Sequence, residues 1–194
     1  MNKITAADLW EAKKDCVILD ARSPGEFLKG HIPSASNLPV FSDEERVRVG
    51  TLYKQTSREV AFLEGLDFIG PKLRFFIEES TRLAPDKKIL IYCWRGGLRS
   101  QSMAVLLEAA GFSCQLLEGG YKSYRTHCRE VLMDQDAHLI LVGGKTGSGK
   151  TVILNELMDL QEQVIDLEGL AHHKGSVFGM LGQEPQPTKE QFEN

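Results

Sequence analysis

The chain has 194 residues, of which 42% are hydrophobic and 26% charged, and its formal net charge at neutral pH is −4. This composition is typical of a globular protein and excludes chains dominated by proline and glycine or poor in aromatic residues. No apolar run approaches the roughly 20 residues of a membrane-spanning helix, and the polar N-terminus lacks the apolar core of a signal peptide. We therefore expect a cytoplasmic protein without a membrane partner.

Short apolar segments and helical patterns alternate along the first 133 residues. Strands are predicted over 16–20, 35–40, 87–93 and 112–120. Helices are predicted over 5–14, 71–83, 98–110 and 121–133, with a single turn over 23–30 and a long, partly helical excursion over 41–70. Within the helix 71–83, Leu73, Phe76 and Ile77 are expected on one apolar face. This alternation predicts an α/β fold with a parallel sheet and helices on both faces.

A second unit is predicted to begin near His138. A strand over 138–144, a helix over 151–160 and a strand over 163–169 follow one another. We therefore predict a first domain over 1–134 and, over 135–194, the N-terminal part of a P-loop nucleotide-binding domain. A complete domain of that kind needs roughly 100–200 residues, so we expect this one to be truncated.

Cysteine spacing and charge distribution narrow the choice of sites. The four cysteines, Cys16, Cys93, Cys114 and Cys128, include no CxxC pair, so neither a zinc site nor a disulfide framework is expected. Seven basic residues against two acids lie between residues 87 and 129. Such a segment could attract an anion or a nucleic-acid backbone, although on counts alone a solvated charged face explains it better.

Cys93 stands at the end of the predicted strand 87–93, before a loop that leads into a helix. Sites form at this edge of parallel sheets, and loop glycines let backbone N–H groups turn inward. The N-terminus of the next helix and two arginines add positive charge, so a thiolate is favoured and Cys93 is predicted to be a nucleophile. The loop residues assigned to this site are Trp94, Arg95, Gly96, Gly97, Leu98 and Arg99.

The spacing from Cys93 to Arg99 offers an alternative. This Cys-x5-Arg loop resembles that of cysteine-dependent phosphatases of the dual-specificity type, and it could hold a tetrahedral oxyanion such as phosphate or selenophosphate. Against a phosphatase, Tyr92 stands where those enzymes carry a histidine, and no general-acid carboxylate is evident nearby in the sequence.

Residues 144–151 read GKTGSGKT and fit the P-loop pattern G-x4-G-K-[ST] between a predicted strand and a predicted helix. Backbone N–H groups would surround phosphates, Lys150 would neutralise them and Thr151 would bind Mg²⁺. The phosphate-binding set is Gly144, Gly147, Ser148, Gly149, Lys150 and Thr151. Asp166, which follows the strand residues 163–165, is a weaker candidate for a carboxylate on the Mg²⁺ side of the site.

Two stretches resemble the rhodanese family, namely DARSPGEFLKGHIPSASNLP at 20–39 and LEGGYKSY at 117–124. The resemblance implies that Asp20 and Arg22 organise the active-site region, and that the cysteine carries a persulfide or its selenium analogue. Glu26 and His31 are better explained as members of a structural salt-bridge and capping cluster.

A rhodanese domain joined to a P-loop resembles the tRNA 2-selenouridine synthase family. Three further stretches carry this resemblance, at 42–55, 93–100 and 166–179. One departure is Lys174, where an arginine is expected; lysine keeps the charge but loses bidentate geometry.

The resemblance implies a transferase that replaces sulfur by selenium in the wobble 2-thiouridine of tRNA. Selenophosphate would be the donor, geranyl diphosphate would give a geranylated thiouridine intermediate, and Cys93 would be the essential thiol. Implied partners are tRNA and a selenophosphate-supplying enzyme. No tightly bound cofactor is expected, and the P-loop would bind either a nucleotide with Mg²⁺ or geranyl diphosphate.

Three other functions remain open from the sequence. One is a rhodanese-type sulfurtransferase with a nucleotide-binding regulatory domain, and another is a cysteine phosphatase. The last is a non-enzymatic, nucleotide-gated binding module, which would leave the electropositive loop of Cys93 without a purpose.

Overall fold

A computed structural model of the chain describes residues 2–12, 14–133, 138–145 and 147–194. Two compact units divide the chain: one runs to Val131 and takes in the last residue, and the other covers Leu132–Glu193. The predicted domain boundary at residues 134 and 135 falls outside the described ranges. Within those ranges, no helix is both long and apolar enough to cross a membrane.

The first unit is built on a parallel β-sheet. Its strands are β1 Asn2–Ile4, β2 Val17–Asp20, β3 Ser36–Asn37, β4 Lys88–Tyr92 and β5 Ser113–Leu117. Their order is β1-β5-β4-β2-β3, and each neighbouring pair is parallel. The prediction of a parallel sheet is confirmed. Strand β1 was not predicted, because its three residues carry only one apolar side chain.

Helices connect and cover these strands. They are α1 Leu9–Ala12, α2 Pro24–Lys29, α3 Asp43–Gln55, α4 Arg58–Ile69, α5 Leu73–Leu83, α6 Leu98–Ala109 and α7 Gly120–Met133. A 3-10 turn over Gly70–Lys72 joins α4 to α5. The excursion over 41–70 is thus two successive helices, which begin after the capping residues Ser42 and Ser57.

Side chains of β4 point alternately to the two faces of the sheet, as the two-residue period of a strand requires. Ile89, Ile91 and Cys93 pack into a core with α5 and α6, whereas Leu90 and Tyr92 pack into a core with α1 and α7. The second core is more aromatic, and its fully buried members include Tyr121 and Tyr124 of α7. Helices therefore cover both faces, as predicted.

The predicted apolar face of α5 is only partly correct. Phe76 is buried and Ile77 packs against the core, but Leu73 is 40% exposed. The 3-10 turn delays the start of the α-helix, so Leu73 becomes its first residue and lies outside the core cluster.

The second unit contains α8 Lys150–Asp159, α9 Leu167–Leu170 and α10 Lys189–Phe192. Helix α8 confirms the helix predicted over 151–160. The strands predicted over 138–144 and 163–169 are wrong, because the described residues of both segments form no ladder. A strand needs a hydrogen-bonded neighbour, and Ile140 and Leu141 are more than nine-tenths exposed.

Candidate active site

Cys93 directly follows β4 and is 3% exposed, and two hydrogen-bond donors face its sulfur. The backbone N–H of Gly97 and the hydroxyl of Ser100 each donate to Sγ over 3.2 Å. Donors of this kind stabilise a negatively charged sulfur more than a neutral thiol. The sulfur of Cys93 therefore accepts two hydrogen bonds inside the loop that leads into α6, and it lies 3.9 Å from the Gly97 carbonyl oxygen.

The loop after Cys93 requires glycine at Gly96, whereas a Cβ at Gly97 would meet no atom within 4 Å. Gly96 has a φ of +65°, and a Cβ there would lie 3.0 Å from the carbonyl oxygen of Leu117. Gly97 is the N-cap of α6, so the positive end of that helix faces the sulfur. The side-chain amide of Gln101 donates to the Gly96 carbonyl over 3.0 Å and helps to hold the turn.

The start of α7 closes the loop from the other side. Tyr121 and Lys122 donate their backbone N–H groups to the carbonyls of Cys93 and Trp94, over 2.9 and 3.0 Å. Gly120 has a φ of +63°, and a Cβ there would collide with the Cys93 carbonyl oxygen. The LEGGYKSY stretch thus holds the reactive loop in place, a role that its sequence signalled only through the adjacent glycines.

Asp20 and Arg22 form a fully buried ion pair. The Nε atom of Arg22 lies 3.0 Å from the carboxylate and its Nη2 lies 2.6 Å from it. Nη2 also donates to the Gly30 carbonyl, and the guanidinium stacks 3.8 Å above the ring of Tyr121. Burial acts to lower the pKa of Arg22, but the hydrogen bond and charge of Asp20 outweigh burial and raise it. The pair therefore braces the first motif against α7.

Arg99 forms an ion pair with Glu26. Its Nη1 lies 2.6 Å from Oε2 of Glu26, and Nε of Arg46 lies 3.7 Å from the same oxygen. Burial acts to raise the pKa of Glu26, but the Arg99 hydrogen bond and charge dominate and lower it. The Glu26 carboxylate therefore neutralises the positive charge of Arg99, which was predicted to favour a thiolate at Cys93. Glu26 and His31 both make structural contacts. Glu26 pairs with Arg99, and the ring of His31 stacks on that of Phe27 with centroids 3.8 Å apart.

The remaining loop side chains lie at the surface. Trp94 is 38% exposed, Arg95 is exposed and Leu98 is 53% exposed. Leu98 also lines a cavity of about 410 Å³ whose other walls come from α4: Arg58, Glu59 and Phe62. An apolar recess with charged margins therefore adjoins the first turn of α6.

Ser100 is a site residue that the sequence-based assignment missed. It has no exposed surface, and its hydroxyl lies 3.1 Å from the Gly97 carbonyl as well as beside the cysteine sulfur. A single hydroxyl hydrogen can serve only one of these acceptors at a time. Its position, seven residues after Cys93 and inside the first turn of a helix, was the available signal.

The P-loop residues lie in the second unit. Gly147 and Gly149 have positive φ angles of +78° and +85°, and Gly149 precedes Lys150, the first residue of α8. The Nζ atom of Lys150 donates to the carbonyls of Gly144 and Lys145, over 3.0 and 3.1 Å. A lysine over a glycine-rich turn at a helix N-terminus suits a phosphate group.

Other members of the predicted phosphate site have simpler surroundings. Ser148 donates its N–H to the Lys145 carbonyl, and Thr151 is exposed in the first turn of α8. Thr146 lies outside the described residues. Asp166 caps α9 by accepting the Gly169 N–H over 3.1 Å, so its carboxylate has a structural use. Within the described part of the chain, no group of three or more His, Cys, Asp or Glu residues could hold a metal ion.

Comparison with known proteins gives two family matches. The model described as a rhodanese-like domain matches residues 5–127. The model described as the tRNA 2-selenouridine synthase AAA domain matches residues 137–194.

Two curated relatives are tRNA 2-selenouridine synthases. The protein of Shewanella denitrificans is 39% identical over 186 residues, which cover 91% of this chain and 48% of that protein. The protein of Serratia proteamaculans is 42% identical over 173 residues, which cover 86% of this chain and 44% of that protein. This chain therefore spans about half the length of the curated relatives it matches.

A solved structure is similar to the first unit. The N-terminal domain of an ATP/GTP binding protein from Clostridium difficile 630 is 34% identical, with a TM-score of 0.60. The match covers 69% of this chain and 100% of that domain.

Proposed function

This chain belongs to the rhodanese-like domain family, and from that premise we propose that it acts in a tRNA-modifying transferase with Cys93 as its essential thiol. The reaction replaces sulfur by selenium in the wobble 2-thiouridine of tRNA. Support comes from curated relatives that carry the name tRNA 2-selenouridine synthase, and from the family match of the second unit.

The observation that carries the proposal is the environment of the Cys93 sulfur. The buried sulfur accepts two hydrogen bonds at the N-terminus of a helix, and this arrangement fits the role of a nucleophile. Cys114, by contrast, is a buried cysteine of the same core, and burial raises the pKa of its thiol to about 11. This contrast supports Cys93, rather than Cys114, as the proposed thiol.

Selenophosphate is the proposed selenium donor, and a geranylated thiouridine is the proposed intermediate. Geranylation turns the base sulfur into a leaving group. The selenium of selenophosphate then bonds to C2 as the carbon–sulfur bond breaks, and geranylthiolate departs and takes up a proton. Water attacks phosphorus, the phosphorus–selenium bond breaks and phosphate is released. The recess beside α6 that is lined by Phe62 and Leu98 offers apolar contacts for a prenyl chain.

The P-loop is proposed to bind the diphosphate of a substrate or nucleotide. Lys150 would neutralise the phosphates, and the N–H groups of the glycine-rich turn would surround them. Geranyl diphosphate and a nucleoside diphosphate share this recognition chemistry. If Mg²⁺ is bound together with a nucleotide, it would neutralise further phosphate charge next to Thr151.

The test uses the protein as its gene encodes it, incubated with 2-thiouridine tRNA, geranyl diphosphate and selenophosphate. Digestion of the tRNA and mass spectrometry of its nucleosides should show geranylated 2-thiouridine first and 2-selenouridine later. If neither product forms although the tRNA substrate is active, the proposal is contradicted. Omission of geranyl diphosphate should stop both products, whereas omission of selenophosphate should stop only the second.

A rhodanese-type sulfurtransferase with a nucleotide-binding regulatory domain is the second candidate, favoured by the family match of residues 5–127. It predicts turnover of thiosulfate or a persulfide donor without any tRNA. A phosphatase is less consistent with the geometry, since Arg99 is paired with Glu26 and does not stand free for an oxyanion. Failure to hydrolyse aryl phosphates would dispose of it.

A further inference from the structure

Trp94 directly follows the buried Cys93 but is 38% exposed, so an aromatic surface lies at the mouth of the cysteine loop. Its ring contacts Tyr121, with ring centroids 5.9 Å apart and planes tilted by 46°. Its carbonyl accepts the Lys122 N–H over 3.0 Å. The indole therefore contacts a fully buried ring and still exposes more than a third of its surface.

Two cationic residues are joined to Trp94 through the backbone. Arg95 is the next residue, and Lys122 is tied to Trp94 through the backbone hydrogen bond; both side chains are exposed. Neither has a carboxylate partner within the part of the chain that the structure describes. Arg22 and Arg99, the other arginines near the loop, are paired with Asp20 and Glu26. The positive charge at the mouth is therefore free to meet a ligand.

This combination does not suit a small tetrahedral anion. Such an anion is bound by inward-facing N–H groups and a fixed cation, and an exposed indole adds nothing to that. An exposed aromatic ring together with exposed cations is how proteins bind single-stranded RNA, whose bases stack on aromatic rings while its phosphates contact arginine and lysine.

We infer that Trp94 is a stacking platform for a nucleobase of a single-stranded tRNA loop, with Arg95 and Lys122 contacting the neighbouring phosphates. The inference rests on the proposed function, since it concerns the same site. Trp94 is the residue next to Cys93, so a base stacked on its ring would lie beside the cysteine loop. Trp94 would thus position the target and hold its neighbour unstacked.

The test compares two replacements of Trp94 in binding to a fluorescently labelled anticodon stem–loop that contains 2-thiouridine. Trp94→Phe keeps an aromatic face, whereas Trp94→Leu keeps apolar bulk against Tyr121 but cannot stack. Trp94→Leu should weaken binding by about 5- to 100-fold, the range expected for one lost base stack, and Trp94→Phe by no more than a few-fold. The matched control is Trp10→Leu, at a tryptophan of α1 that is 44% exposed, and it should bind as wild type does.

Salt dependence tests the two cations. Arg95→Gln and Lys122→Gln should each reduce the slope of log affinity against log salt by roughly 0.7, the value for one phosphate contact to a single strand. Lys54→Gln, at an exposed lysine of α3, should leave the slope unchanged.

Equal affinities for the Leu and Phe variants of Trp94, or equal losses in the Trp94→Leu and Trp10→Leu proteins, would overturn the inference. Because binding requires no selenium transfer, the two proposals fail separately. Trp94-dependent RNA binding without any 2-selenouridine would sink the proposed function alone. Product formation with Trp94-independent binding would sink the stacking platform alone.

Discussion

The hydroxyl of Ser100 lies 3.2 Å from the sulfur of Cys93, and both side chains are buried beneath the same loop. Ser100 does not reach the surface, so its only means of influencing chemistry is through that sulfur and the Gly97 carbonyl. It is a positioning residue in this account. Its single hydroxyl hydrogen can donate either to Sγ or to the Gly97 carbonyl.

Ser100→Ala should therefore slow the alkylation of Cys93 by iodoacetamide at neutral pH. A hydrogen bond to a charged group contributes roughly 1.5–3 kcal/mol, so the rate should fall by about 10- to 100-fold. Peptide mass spectrometry identifies the modified cysteine. Ser102→Ala is the control, because that exposed hydroxyl bonds only within its helix. Unchanged alkylation in Ser100→Ala would contradict the role.

Gly120→Ala should disturb the loop from the opposite side. The positive φ alone disfavours alanine by about 1–2 kcal/mol, and the new methyl group would collide with the Cys93 carbonyl. We expect a lower free energy of unfolding by urea and an altered alkylation rate of Cys93. Gly70→Ala is the matched control, since a Cβ there meets no atom within 4 Å and φ is negative. Equal stability of the two variants would contradict the close approach of Gly120 to the Cys93 carbonyl oxygen.

Glu26→Gln should lower the free energy of unfolding at neutral pH, and it should make that free energy less dependent on pH in the acidic range. The pKa of Glu26 is lowered in the folded protein, so its ion pair stabilises fully above the unfolded value of about 4.5 and is lost as the pH falls through the folded value. Chemical unfolding at pH 7 should show a loss of roughly 1–2 kcal/mol, shrinking as the pH approaches 4. The exposed Glu130→Gln should show neither effect. A loss independent of pH would mean that packing, not charge, is what Glu26 supplies.

Lys150→Ala should abolish binding of diphosphate-bearing ligands to the second unit. Calorimetric titration with geranyl diphosphate and with a nucleoside diphosphate would show which of the two binds the wild type, and both signals should depend on Lys150. Alkylation of Cys93 should be unchanged, since the P-loop lies in the other unit. Lys189→Ala, at an exposed lysine of α10, serves as the control. Wild-type binding by Lys150→Ala would exclude the P-loop as a phosphate site.

The sequence predicted the local arrangement around Cys93 well. A buried strand, two glycines and a helix are properties of one short stretch, so strand β4, the loop and helix α6 follow from residues close together in the chain. Distant partners could not be read in the same way. The pairing of Arg99 with Glu26 joins residues 73 positions apart, and it changes what the loop arginine does.

Two other differences have physical causes of the same kind. Residues 138–144 have the apolar pattern of a strand, but a strand exists only when a neighbour supplies hydrogen bonds. The helices α3 and α4 carry apolar residues on several sides, including the exposed Phe62 and Leu66, so their period was hard to recognise. The serine caps before them were the stronger signal.

The most direct test of the central claim compares Cys93→Ala with Cys114→Ala in the protein as its gene encodes it. Both cysteines lie in the same core and are 3% and 5% exposed, so the two substitutions remove similar packing. The measurement is 2-selenouridine formed from 2-thiouridine tRNA, geranyl diphosphate and selenophosphate, read by mass spectrometry of the nucleosides. Cys93→Ala should form none while remaining folded, and Cys114→Ala should keep its activity. Full selenation by a folded Cys93→Ala protein would contradict the central claim.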